Sequence, residues 1–212
     1  MPGRVTARET AGNPIRTRGT LSLKEWAVVC EALAGGDQVL LLRKGGVGEK
    51  RGFEVAGAEF LLFPSFEHQH GAKVRDEHRQ HFEAAAAHRP PEGRLAVRLL
   101  ARVTGAVSLT EPGREADPEA LYARTEDLHV YTPELIRERV TYRPAAPLVA
   151  VVLEVRPLET ALDLVDERRY AGCRSWVDLP KVDFEALDPV LPEARLTDAL
   201  DRLREAAPAP VA

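Results

Sequence analysis

The chain has 212 residues, 44% hydrophobic and 29% charged, with 16 Pro, 15 Gly and a formal net charge of -4. It contains no apolar run of about 18 residues, so a helical membrane protein is excluded. The basic first 25 residues lack an apolar core, which reads as no secretory leader. Cys30 and Cys173 are too few for a disulfide framework or a structural zinc site and fit a reducing cytoplasm.

Residues 1 to 20 carry four arginines against one glutamate and show no periodicity, which predicts a disordered basic arm. Ser22 and Glu25 have capping-box spacing. Leu23, Trp26, Ala27, Cys30, Leu33 and Ala34 follow at helical intervals, predicting a helix from Ser22 to Gly35-Gly36. Gln38 to Lys44 and Ala58 to Phe63 read as strands, and Arg75 to His88 as a helix with a weak apolar face.

Arg94 to Leu109 alternates as a long strand bent at Gly105, with Leu95, Val97, Leu99, Ala101 and Val103 on one face. Asp117-Pro118 and Thr132-Pro133 each place a capping residue before a proline suited to the first helical position, so short helices start there. Leu148 to Val155 is a buried central strand, Cys173 to Leu179 a short last strand, and Leu196, Leu200 and Leu203 mark a terminal helix. The sequence therefore divides into a basic arm at 1–20, one α+β domain at 21–180 and an acidic segment at 181–212 ending in an Ala/Pro tail.

The loop from Arg43 to Arg51 combines four bases, one acid and three glycines directly after a strand. Glycines let backbone N–H groups approach an anion, so Arg43, Lys44, Gly45, Gly46 and Lys50 are candidates for phosphate contact. The loop lacks the Gly-Lys-Ser/Thr ending of a Walker loop and the Gly-x-Gly-x-x-Gly of a dinucleotide site; a charged hairpin is the simpler alternative. After the second strand, Glu67, His68, Gln69 and His70 sit where loop-borne sites gather. A lone His-x-His is weak evidence for a metal, and no metal or cofactor is assigned. His78, His81 and His88 share one helical face, but a single helix cannot surround an ion. Arg94, Arg98 and Arg102 repeat every four residues and would project from one strand face, either as a phosphate track or paired with acids of a covering helix. No Gly-x-Ser-x-Gly elbow is present, and no acid is followed two positions later by Lys as in two-metal nucleases.

Lys24-Glu25-Trp26, Leu40 to Gly46, Phe60 to Pro64, His68-Gln69, Tyr170, Cys173 and Ser175-Trp176-Val177 together resemble the bacterial family known as domain of unknown function 1802 over about residues 22 to 180. The resemblance implies no settled activity. It marks Arg43, Lys44, Gly45, Gly46, His68, Gln69, Ser175 and Trp176 as positions of interest, and a link to bacterial restriction, defence or repair. A looser similarity to PUA and ASCH barrels rests on Gly36 and Arg43 seven residues apart. There, Asp37 and Leu41 replace the polar residues of that motif. The expected fold is α+β, a curved mixed sheet or small PUA/ASCH-like β-barrel with flanking helices. The leading expectation is a nucleic-acid or nucleotide recognition module in which Arg43, Lys44 and Lys50 meet phosphate while His68, Gln69 and Trp176 meet a base. The alternatives are a metal-dependent nuclease or phosphodiesterase using Glu49, Glu67, His68 and His70, and a non-catalytic protein-interaction module.

Overall fold

The computed structural model describes residues 15–44, 53–67, 69, 71–172 and 174–208. Six strands form one sheet: β1 (Ile15–Trp26), β2 (Leu40–Arg43), β3 (Glu59–Ser65), β4 (Arg94–Ser108), β5 (Val149–Val165) and β6 (Trp176–Ala186). Their order is β2-β5-β4-β3-β1-β6. A further pairing of Leu158 with Ala186 joins β5 to β6, so the hydrogen bonding runs round in a ring. β1 and β3 are parallel and the other neighbours antiparallel, which makes the sheet mixed. Five helices flank it: α1 (Ala27–Gly35), α2 (Gln80–Ala87), α3 (Pro118–Thr125), α4 (Pro133–Thr141) and α5 (Glu193–Ala206). Among the described residues no helix is long and apolar enough to cross a membrane.

The central strands are covered on both faces. Along β3, Phe60 and Leu62 enter the larger core beneath the helices, while Leu61 and Phe63 enter a second core with Tyr170, Leu158 and Phe184. This two-sided burial explains why β3 and the first half of β5 read as unbroken apolar runs. α3 and α4 begin as expected: the Asp117 carboxylate accepts from the amides of Glu119 and Ala120, and the Thr132 hydroxyl from that of Leu135. Each satisfies amide groups that the first helical turn leaves unpaired.

Four expectations are corrected. Ser22 to Trp26 is strand, and the helix begins at Ala27. Ser22 Oγ donates to Leu61 O at 2.9 Å across the β1–β3 pair, and Glu25 is buried against Arg43, so neither side chain closes a capping box. Residues 15–20, assigned to the basic arm, are the first half of β1, and residues 1–14 lie outside the described residues. The boundary drawn at 180 falls inside β6. Finally, Arg94, Arg98 and Arg102 do not share a face, because a register shift between Val97 and Leu99 breaks the alternation. Leu95 and Val97 enter the second core with Leu100, whereas Leu99 and Ala101 enter the first. The irregularity thus leaves Arg102 on the face opposite Arg98.

Candidate nucleic-acid interface

The junction between β1 and α1 gathers segments that are distant in sequence. Arg43 NH1 donates to Glu25 Oε2 at 3.0 Å and to Lys24 O at 3.3 Å. Ser175 O accepts from the Lys24 amide at 2.8 Å. Gln69 Oε1 accepts from the Val28 amide at 3.2 Å and so caps α1, whose own N-cap residue, Trp26, makes no side-chain cap bond. Trp176 is the register partner of Leu23. Four of the sequence-predicted site residues, Arg43, Gln69, Ser175 and Trp176, therefore converge on residues 23 to 28.

A tier of flat groups covers this junction. The Arg43 guanidinium lies 5.2 Å from the Phe53 ring centre, and Phe53 stacks on Trp176 with centroids 5.8 Å apart and planes 19° apart. Phe60 meets Trp176 edge-on, and the indole N–H donates to Glu54 O at 3.1 Å. On the other side Arg139 lies over both Trp26 and Tyr131 and donates to Leu42 O at 2.8 Å. Glu25 and Arg43 have side-chain exposures of only 3% and 14%, so this is a desolvated ion pair inside an aromatic setting.

Lys44 is buried and points away from the junction. Its ammonium donates to Val140 O and Tyr142 O, both at 2.7 Å, binding the carbonyls that end α4. Burial, and then the charge of Arg143, lower its pKa. The arginines of β4 are paired with acids, though not with those of a single covering helix. Arg94 meets Asp163 on β5, Arg98 meets Glu31 on α1 at 2.7 Å, and Arg102 meets its cross-strand neighbours Glu59 and Glu154. Gly45, Gly46, Lys50 and His68 lie outside the described residues, as do Glu49 and His70.

Lys24 leads to a second feature. Its ammonium donates to Tyr170 O and, at 3.3 Å, to Gly172 O, and lies 5.3 Å from the Phe63 ring centre. It lines a cavity of about 500 Å³ between the end of β3, the turn before β4 and the chain following β5. Lys24, Arg89, Arg94 and Arg168 supply positive charge there, and Glu67, Glu92, Asp166 and Glu167 negative charge. Phe66 forms part of the wall, with the exposed Arg89 guanidinium 5.0 Å from its ring centre. A space of this size takes a small organic ligand or one nucleotide of a strand. Its mixed charges can meet phosphate oxygens on one side and hydroxyl or amino donors on the other.

Of the residues marked from sequence, Glu67 and Arg94 line the cavity. Lys24, Glu25, Phe53, Arg89, Arg139 and Arg168 were not marked. Only Lys24 and Glu25 carried a signal, as part of the Lys24-Glu25-Trp26 phrase.

The crystal structure of a mutant ZmASCH protein from Zymomonas mobilis resembles this chain with a TM-score of 0.39 and 12% identity, covering 68% of this chain and 75% of that one. None of the curated proteins matches the sequence. The model of the family described as "Domain of unknown function (DUF1802)" matches residues 22–202, from the buried Ser22 of β1 through most of α5, and the chain belongs to that family.

Proposed function

We propose that the protein is a nucleic-acid or nucleotide recognition module that seats one nucleotide in the cavity beside Lys24. The supporting observation is the cavity itself: four cationic side chains and an aromatic wall enclose about 500 Å³, with acids placed to accept from base amino groups or sugar hydroxyls. Arg89 and Arg168 are the ligand-facing cations, because both are exposed and neither is tied into the sheet. Arg43, Gln69, Ser175 and Trp176 act behind the site, fixing the β1–α1 junction from which Lys24 projects, while Lys44 holds the end of α4. The net charge of -4 makes binding depend on this local cluster and not on the field of the whole molecule. A role in bacterial restriction, defence or repair is consistent with such recognition.

The test is a mobility shift with labelled single- and double-stranded DNA and RNA, with and without divalent metal, scoring shift and integrity together. A salt-sensitive shift of intact nucleic acid is expected, and the Arg89→Ala/Arg168→Ala chain should bind at least about 10-fold more weakly with a shallower salt dependence. Equal binding by that variant removes the cavity as the site. Metal-dependent cleavage replaces recognition with a nuclease activity, and neither shift nor cleavage removes both.

A further inference from the structure

The C-terminal turn of α1 and the N-terminal end of α2 build a second polar cluster, separate from the cavity. Gly36 adopts φ 78°, and the amides of Asp37 and Gln38 donate back to Ala32 O at 3.0 and 3.2 Å. This left-handed cap turns the chain sharply and brings Asp37 against α2. Gly35 leaves room for the neighbouring imidazole, since a Cβ there would stand 3.3 Å from His81 Cε1. Asp37 Oδ2 lies 2.8 Å from His81 Nε2 and 3.7 Å from His78 Nδ1. The three donor atoms all fall within 4.8 Å of one another. The two rings stack, with centroids 6.0 Å apart and planes 15° apart.

Two further observations point to a ligand. His78 Nδ1 is buried and has no hydrogen-bond partner among the described residues, because 3.7 Å exceeds hydrogen-bond reach. The imidazoles are packed, with side-chain exposures of 17% and 9%, whereas Asp37 at 41% opens the cluster to solvent. Burial and the adjacent Arg75 hold the His78 pKa below its ordinary value.

We propose that Asp37, His78 and His81 bind a divalent transition cation of the zinc type, with water completing its shell on the Asp37 side. Two imidazoles and one carboxylate suit zinc and its neighbours, whereas calcium and magnesium take oxygen donors. A tetrahedral zinc with bonds of about 2.1 Å holds its donors about 3.4 Å apart, so the 2.8 Å Asp37–His81 contact opens by about 0.6 Å and the 3.7 Å Asp37–His78 separation closes slightly. Arg75 limits the affinity. Its NH2 lies 3.0 Å from His78 Nε2, and a guanidinium only donates, so the neutral ring carries its proton on Nδ1. A cation at Nδ1 displaces that proton to Nε2, facing Arg75, and at His81 it replaces the Nε2 proton now shared with Asp37 Oδ2, which moves to Nδ1 or to solvent, so both steps lower the affinity.

The experiment uses the full chain without a tag, stripped with chelator. Zn²⁺ is titrated by calorimetry, and Co²⁺ by the visible absorption that reports nitrogen ligation. One equivalent is expected, weakened at least about 10-fold in Asp37→Asn and in His81→Ala, and unchanged in His68→Ala/His70→Ala. Circular dichroism confirms folding of each variant. Should His81→Ala not fold, Asp37→Asn, exposed and isosteric, still decides. Absence of binding, equal affinity in Asp37→Asn, or loss of binding in His68→Ala/His70→Ala would each overturn the proposal.

Discussion

Arg43 shows how a residue chosen for one reason can matter for another. It draws attention in the sequence because a glycine-rich basic loop follows it, and in the structure its guanidinium neutralises Glu25, whose side chain is 3% exposed. Removing one member of a buried pair leaves the other charged and desolvated, which costs about 3–5 kcal/mol. Arg43→Ala is therefore expected to lose that much stability in urea unfolding, while Glu25→Leu/Arg43→Leu recovers most of it. A loss below about 1 kcal/mol for the single variant would show that water reaches Glu25. Weak nucleic-acid binding by Arg43→Ala would consequently report folding rather than a lost phosphate contact. Glu25 was not legible as its partner because the letters Ser-x-x-Glu serve a capping box and a strand equally well. What separates the two is burial by β3 and Arg43, a tertiary effect that local pattern does not carry.

Elements that stand on local chemistry were legible, and those that depend on distant packing were not. β2, β3, α3 and α4 lie where alternation, apolar runs and capping prolines place them. The second half of β5 was missed because it follows Pro157 and turns half-exposed, with the pattern of an edge rather than a core. The β4 arginines look like one row only while the alternation is assumed unbroken, and the register shift after Val97 is invisible in composition. Gly105 was marked as a bend, and a second register shift does lie between Val103 and Gly105. Its further role is contact: a Cβ there would fall 2.7 Å from Leu200 Cδ2 on α5. Gly105→Ala must push Leu200 out of its rotamer or lift the helix, at a cost of about 1–3 kcal/mol. The same substitution in a Leu200→Ala background should cost clearly less, and equal losses of unfolding free energy in both backgrounds would show that α5 does not rest on this glycine.

At the scale of the molecule, the boundaries suggested by composition run through the structure rather than around it. Residues 15–20 of the basic stretch and 181–186 of the acidic stretch lie in adjacent strands: Ile15 to Gly19 pair with Ala186 to Val182, and Ala186 in turn pairs with Leu158 on β5. The acidic segment also supplies α5, whose Leu196, Leu200 and Leu203 are buried in the larger core. Three leucines buried at about 1.5–3 kcal/mol each contribute about 5 to 9 kcal/mol, a large part of the 5–15 kcal/mol by which a domain is typically stable. A chain trimmed to residues 21–180 loses that burial, half of β1, half of β6 and the pairing that completes the ring. It is expected to show no cooperative thermal transition by circular dichroism and poor dispersion of its amide proton resonances. A chain of residues 15–208 should keep both. Cooperative melting of the 21–180 chain would mean that β2 to β5 and the helices between them form a core sufficient in itself. The outer half of the β1–β6 pair and α5 would then be additions to that core, and the junction at Lys24 would rest on β3 and on the remaining pairs from Leu21–Asp178 to Leu23–Trp176.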